Sequence, residues 1–355
     1  MIGAEGLSVR LMPSFDFLSG EYEALYARCD ATPFQGPRWL DLFYRDLVPA
    51  SDGEPVIVTL RDGERLVGVV PLVRRRKGPL RFLDFADLGV TDYAAPVLDP
   101  GTDPARFAKL VASSLPSHDA LRVQPVRAEH VAAVEALFGA PCVPMGVAAH
   151  ATDFPDGYDA WRTHRMDRSL GKQVARKARK AARDHGAALR VLPKDQIAAA
   201  VQRIAAQRAG RFEGDPIQRD AVAAFYASAA EACAARGEAD VFALVTADGE
   251  EMGLVFGLRD PREGRGGAFL YLLIGCDYER WGTLSPGYVM YDAIIRDQAT
   301  RGATRFDFTI GDEPFKAKFG TEATPMHALF KARTLAGRGM VALWKRRLAQ
   351  GADGG

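Results

Sequence analysis

The stretch "RFDFTIGDEPFKAKFG", Arg305 to Gly320, decides how the chain is read. Its first six residues alternate, so Phe306, Phe308 and Ile310 share one face of a strand and Asp307 lies on the other. Gly311 lets the backbone turn away, and Asp312, Glu313 and Pro314 open a short helix carrying Lys316 and Lys318. A carboxylate at a strand's end can accept a proton from a reacting group. Asp307, Asp312 and Glu313 are therefore candidate bases or orienting groups. The plainer alternative is that Asp312 and Glu313 cap the helix while Asp307 pairs with Lys316 or Arg305.

Upstream, "LYLLIGCDYERWGTLSPGYVMYDAIIRDQATRG" (Leu270–Gly302) runs from an apolar strand through a loop into a helix. Ser285 has the chemistry of an N-cap, Pro286 suits the first turn, and Gly302 ends the helix. Such a junction offers unpaired N–H groups and the positive end of a helix dipole, where a phosphate can dock. Many helices start this way and bind nothing.

Around these stretches the pattern alternates helices with strands. Helices are expected at Glu21–Cys29, Pro37–Leu47, Lys172–His185, Asp195–Ala209, Gln218–Arg236 and Pro286–Arg301. Strands are expected at Pro55–Arg61, Arg65–Val73, Ala239–Thr246, Met252–Leu258, Gly267–Ile274 and Arg305–Ile310. The fold class is α/β, of the α+β kind. "VIVTLRDGERLVGVVPLV" (Val56–Val73) and "VFALVTADGEEMGLVFGL" (Val241–Leu258) both read as strand, Asp-Gly turn, strand, which points to a duplicated domain. The first copy continues into the turn-rich "PLRFLDFADLGVTDYAAPVLDP", whereas the second continues into a strand, a loop and a helix.

The residues of Asp277–Ile294 and Arg305–Gly320 together resemble the BioF2-like branch of the GNAT acyltransferase superfamily, the CelD/BcsL-type proteins. "TPFQGPRWLDLF" (Thr32–Phe43), "LVGVVPLV" (Leu66–Val73) and "TDYAAPVL" (Thr91–Leu98) extend the likeness into the first half. The resemblance implies two tandem GNAT-like domains, each a mixed, mostly antiparallel sheet flanked by helices, an arrangement shared with Fem-type aminoacyltransferases. It divides the chain into residues 1–155, 156–335 with the donor site, and a basic C-terminal helix and tail at 336–355. It also implies that Gly267–Ile274 and Arg305–Ile310 splay apart to admit acyl-CoA as co-substrate, with the acceptor received in the cleft between the domains. On that likeness Trp281, Gly282, Thr283, Ser285, Gly287 and Tyr288 take the pyrophosphate position, and Lys316 and Tyr288 join Asp307, Asp312 and Glu313 as catalytic candidates. "ERWGTLSPG" matches the family's glycine spacing only loosely. Phe315 stands where relatives have tyrosine, leaving Tyr278, Tyr288 and Tyr291 as substitutes, and a backbone N–H of Gly267–Ile274 would stabilise the oxyanion.

Between Arg165 and Arg190 lie nine Lys/Arg and two acids. Leu170, Val174, Ala178 and Ala181 mark a helical stripe, His185-Gly186 closes the helix, and Lys172, Arg176, Arg179, Lys180 and Arg183 form a cationic ridge opposite. The ridge is a solvated face, a binder for an anionic acceptor such as a nucleotide-linked sugar, or a tRNA contact. "LWKRRLAQ" (Leu343–Gln350) reads as a surface helix rather than a membrane anchor.

Global charge adds nothing, since 46 basic residues balance 45 acidic ones, and no general affinity for nucleic acid or anionic membrane follows. Cys29, Cys142, Cys233 and Cys276 lack metal or redox spacing, and the histidines are scattered, so neither a metal nor a redox cofactor is expected. P-loop, nucleophile-elbow and His-Glu-x-x-His motifs do not occur, and "GRGG" at Gly264–Gly267 reads as a hairpin turn. With no signal-peptide pattern at its start and no apolar run of spanning length, the chain is expected in the cytoplasm. The expected activity is acyl transfer, acetyl by family habit, to an amine or hydroxyl of a small molecule, sugar or peptide. A Fem-like transferase using aminoacyl-tRNA and a non-catalytic GNAT-like binding module are the alternatives.

Overall fold

The computed structural model describes residues 6–211, 214–262 and 267–352. The turn expected at Gly264–Gly267 falls, as far as Gly266, outside the described residues. The chain forms two compact units, one of Met1–Ala148 with Thr324–Gly355, the other of Ala149–Ala323.

In the first unit the sheet runs in the order β1 (Leu7–Met12), β2 (Glu54–Asp62), β3 (Arg65–Lys77), β4 (Leu80–Phe85), β6 (Ala120–Arg127) and β13 (Glu322–Ala332), with β5 (Val97–Leu98) paired to β3. Its helices are α1 (Gly20–Arg28), α2 (Pro37–Leu42), α3 (Val48–Ala50), α4 (Ala108–Ser114), α5 (Val131–Phe138) and α12 (Leu335–Ala352). The Asp-Gly turn behaves as the residues dictate: Asp62 pairs with Arg65, and Gly63 takes the positive φ of 57° that the tight hairpin requires. Helix α12 lays Trp344 against Phe82 and Phe330, with the Arg122 guanidinium 5.2 Å from the Trp344 ring. It is a surface helix, and no helix among the described residues is long and apolar enough to cross a membrane.

The second unit repeats this plan. Its sheet order, from the other edge, is β8 (Ala188–Val191), β9 (Ala239–Val245), β10 (Glu251–Asp260), β11 (Ala268–Cys276), β12 (Arg305–Ile310) and β7 (Cys142–Asp153). In both units four strands form an antiparallel meander, the fourth pairs in parallel with a fifth, and a sixth closes antiparallel. The helices are α6 (Tyr158–His164), α7 (Arg168–His185), α8 (Lys194–Arg208), α9 (Asp220–Ala234), α10 (Tyr278–Trp281) and α11 (Pro286–Thr300). The alternating face foreseen for β12 is present: Phe306 and Phe308 are fully buried and pack on Tyr291 of α11 and on Phe319. Leu170, Val174 and Ala181 of α7 join the same core, and Gly186 ends α7 in the left-handed conformation (φ 61°).

The parallel ladder between β11 and β12 holds for three pairs only, Ala268 with Arg305, Phe269 with Phe306 and Leu270 with Asp307. Beyond it the backbone ladder between the strands ends, and the Thr309 hydroxyl, donating to the Tyr271 carbonyl at 3.3 Å, spans them just past the last pair. Tyr271–Cys276 continues alongside β10, while β12 bulges against β7 between Asp307 and Ile310. Thr309 sits in that bulge at φ 58°, a strained region for a β-branched residue. The Asp307 carboxylate accepts a 2.8 Å hydrogen bond from its N–H and holds the bend in place.

In the first unit the parallel ladder of β4 and β6 likewise spans three pairs, Phe82 with Ala120 to Asp84 with Arg122. There the chain itself fills the opening. Ala94 donates its N–H to the Pro125 carbonyl (2.6 Å), Gln35 Nε2 donates to the Tyr93 carbonyl (2.8 Å), and the Arg127 guanidinium lies 4.8 Å from the Tyr93 ring. The turn-rich stretch after β4 thus takes the place that α11 holds beyond the wedge of the second unit.

Candidate functional site

The wedge between β11 and β12 is built from strand, loop and helix. Helix α11 starts at its mouth, offering the N–H groups of Gly287 and Tyr288, since Pro286 has none. Ser285 occupies the position before the helix but does not cap it. Its backbone is left-handed (φ 49°, ψ 61°), its side chain makes no capping bond, and its Oγ instead accepts a hydrogen bond from Lys177 Nζ. The expected N-cap is thereby corrected: the hydroxyl is turned toward α7 because a buried-side lysine claims it.

Lys177 is the residue of the basic helix that reaches the α11 terminus, and the sequence reading passed over it in favour of its neighbours. An ammonium beside free helix N–H groups is a setting for a phosphate. Gly287 leaves room for the Tyr278 hydroxyl, which a Cβ at that position would meet at 2.7 Å. Tyr278 lies across the mouth with Arg211 stacked on its ring at 4.4 Å. Arg208, fixed by Asp215 at 2.7 Å, and Arg211 donate to the carbonyls of Ile274 and Cys276. These two arginines cover the end of β11 and were also missed, because neither Arg208 at the end of helix α8 nor Arg211 just after it belongs to a basic motif.

The remaining members of the expected pyrophosphate group do not all face the wedge. Trp281 is buried in the core, edge-on to His185 at 4.9 Å. Gly282 lies in a short 3-10 turn and Thr283 is exposed. Tyr288 is half-buried, with its ring 5.9 Å from Phe315 and 6.1 Å from Phe319. Phe315 stacks flat on Tyr291 at 5.6 Å, so the position that carries tyrosine in the resembled family serves packing here. Burial raises the Tyr271 and Tyr291 phenols, which are hydrogen-bonded to each other, and raises Tyr278 too. All three stay neutral donors at physiological pH. Cys276, at the end of β11, is pushed up by burial to about 12 and stays a thiol.

At the far end of β12 the charged residues divide. Asp307 is buried in the bulge, and Arg305 pairs with Asp153. Lys316 is also buried, donating to the Ile310 and Gly311 carbonyls at 3.0 and 2.9 Å and pairing with Glu313 at 2.9 Å. It clamps the strand end that the bulge has freed. Neither Asp312 nor Glu313 caps the short helix, which begins only at Lys316. Asp312 instead meets His150 of β7, with Oδ1 2.7 Å from Nε2. His150 carries no sequence motif and stands 162 positions away.

On α7, Lys172, Arg176, Arg179 and Lys180 are exposed. Lys172 and Arg179 line two adjoining hollows of about 530 and 690 Å³ that share Arg162 and Ala175. Arg162 is bound to the buried Asp292 and to the Gly171 carbonyl, so it is committed to structure. No group of His, Cys, Asp and Glu suited to a metal occurs among the described residues.

Residues 168–317 match the family described as Acetyltransferase (GNAT) domain. That stretch contains α7, the wedge and the β12 end, and it makes the chain an enzyme of the acyltransferase class. The FemX crystal structure is similar with a TM-score of 0.64 at 12% identity, covering 94% of this chain and 99% of that one. A conserved protein of unknown function from Bacteroides thetaiotaomicron VPI-5482 gives 0.56 at 11% identity, covering 92% and 100%. L-PGS from Bacillus licheniformis gives 0.55 at 12%, covering 95% and 97%. At such identities the likeness concerns the fold, which is that of two tandem GNAT-like domains. Among curated protein sequences none matches the chain.

Proposed function

We propose that this enzyme moves an acyl group, acetyl in the first instance, from acyl-CoA to an amine or hydroxyl of a small-molecule, sugar or peptide acceptor. The observation that carries the proposal is the parting of β11 from β12 after Leu270 and Asp307, beside the start of α11. An extended thioester arm can run along the open edge of β11, with its phosphates against Gly287, Tyr288, Ser285 and Lys177. A neutral phenol near the mouth, Tyr278 foremost, is available to hydrogen-bond the departing sulfur, and the exposed ridge of Lys172, Arg176, Arg179 and Lys180 offers charge to an anionic acceptor. A cytoplasmic location belongs to the same reading.

A Fem-like enzyme that draws on aminoacyl-tRNA is the second reading, favoured by the whole-chain likeness to FemX. The two separate by titration calorimetry of the full chain with acetyl-CoA. Saturable 1:1 binding is expected, and heats no larger than dilution at millimolar acetyl-CoA would sink the coenzyme A reading. Retention of tRNA at physiological salt would instead favour the second.

A further inference from the structure

Asp312, His150 and Thr321 form a chain of three side chains at the C-terminal end of the wedge strand. Asp312 Oδ1 lies 2.7 Å from His150 Nε2, and Thr321 Oγ1 lies 3.5 Å from His150 Nδ1. The carboxylate can only accept, so Nε2 carries the proton and the Nδ1 lone pair is left for a hydroxyl or amine. The backbone around the three is fixed by local devices. His150 lies between the β7 residues that pair with Ile310 and Asp307, so the β12 bulge holds its strand. Gly311, at φ 123°, swings the chain to bring Asp312 across. Gly320, at φ 68°, sits where a Cβ would meet the Arg165 carbonyl oxygen at 2.4 Å. Its own carbonyl accepts from Thr152 Oγ1, which in turn accepts from Trp161 Nε1 at 2.8 Å. The imidazole side chain is only 14% exposed, while that of Asp312 is 52% exposed.

We propose that His150 is the proton acceptor of the transfer, with Asp312 as its positioning residue and the Thr321 hydroxyl marking where the acceptor's nucleophilic atom arrives. The proposal rests on the acyltransferase reading above. In the step, the acceptor's N–H or O–H proton passes to His150 Nδ1 as its lone pair forms the new bond to the thioester carbonyl carbon. The C–S bond then breaks, and the departing coenzyme A thiolate takes up the proton that His150 received, directly or through water, so that amide or ester and free thiol result and the imidazole returns to its starting form. The Thr321 contact is at the long limit of a hydrogen bond, so an incoming heteroatom can displace it.

The test uses the full chain labelled with 15N-histidine. In the neutral form of the His150 ring, assigned by comparison with His150→Gln, the proton should sit on Nε2, and Asp312→Ala should let both tautomers appear. A neutral wild-type ring with its proton on Nδ1 overturns the proposal. In the second arm, thiol release from acetyl-CoA, with glucosamine or lysine amide as the amine, should fall about 100-fold or more in His150→Gln while acetyl-CoA affinity stays unchanged. Release within threefold of wild type, or an acetyl group found on Thr321 by mass spectrometry, overturns it as well. If wild type binds no acetyl-CoA, the donor reading has failed, and the tautomer measurement still decides the relay.

Discussion

At the scale of single residues, Lys316 and Asp307, both catalytic candidates by sequence, hold the end of β12 in place. Lys316 is buried with its ammonium spread over the carbonyls that the bulge leaves unpaired. Lys316→Met should fill the space yet lose those bonds, lowering unfolding free energy by about 2 kcal/mol in denaturant titration. Full stability in that variant would mean that the clamp is idle. Cys276 is 3% exposed and raised by burial, so it should resist iodoacetamide at pH 8 until the protein is unfolded. Rapid labelling of the native protein would put a reactive thiol at the wedge. Asp307 illustrates what a sequence hides. Alternation correctly put it on the face opposite Phe306 and Phe308, but whether a carboxylate faces a substrate or a backbone N–H two residues away depends on a bulge that no residue type announces.

At the scale of elements, β12 was legible to the residue because its alternation is clean and Gly311 punctuates it. The hairpins of β2 with β3 and β9 with β10 were legible for the same reason. Strand β7, "CVPMGVAAHATD", was not, since it mixes proline, glycine and alanine without a two-residue period, and His150 went unnoticed with it. Lys177 was likewise invisible among equivalent basic neighbours, because helical periodicity names a face but not the side chain that bends toward another helix. Lys177→Met should weaken acetyl-CoA binding about tenfold in calorimetry with unchanged thermal stability; equal affinity would remove α7 from the donor site. The aromatic contact between β12 and α11 holds one wall of the wedge, and Phe308→Ala should cost about 3 to 5 kcal/mol in denaturant titration.

At the scale of the whole molecule, the duplication read from two Asp-Gly hairpins is matched by two units whose strands pair in the same succession. What differs is the segment after the fourth strand. In the first unit it folds back and bonds to Pro125, and in the second it becomes α10 and α11. Composition hinted at this difference, because turn residues crowd the first copy and helix formers the second, but the occupation of the first opening by Tyr93 and Ala94 is a matter of tertiary contact. Among the described residues, the donor is therefore expected at the wedge of the second unit. The most direct measurement is amide hydrogen exchange with and without saturating acetyl-CoA. Protection is predicted in Tyr271–Cys276 and at Gly287–Tyr291, with none in Phe82–Pro96. Unchanged exchange along Tyr271–Cys276, or protection confined to the first unit, would contradict the account.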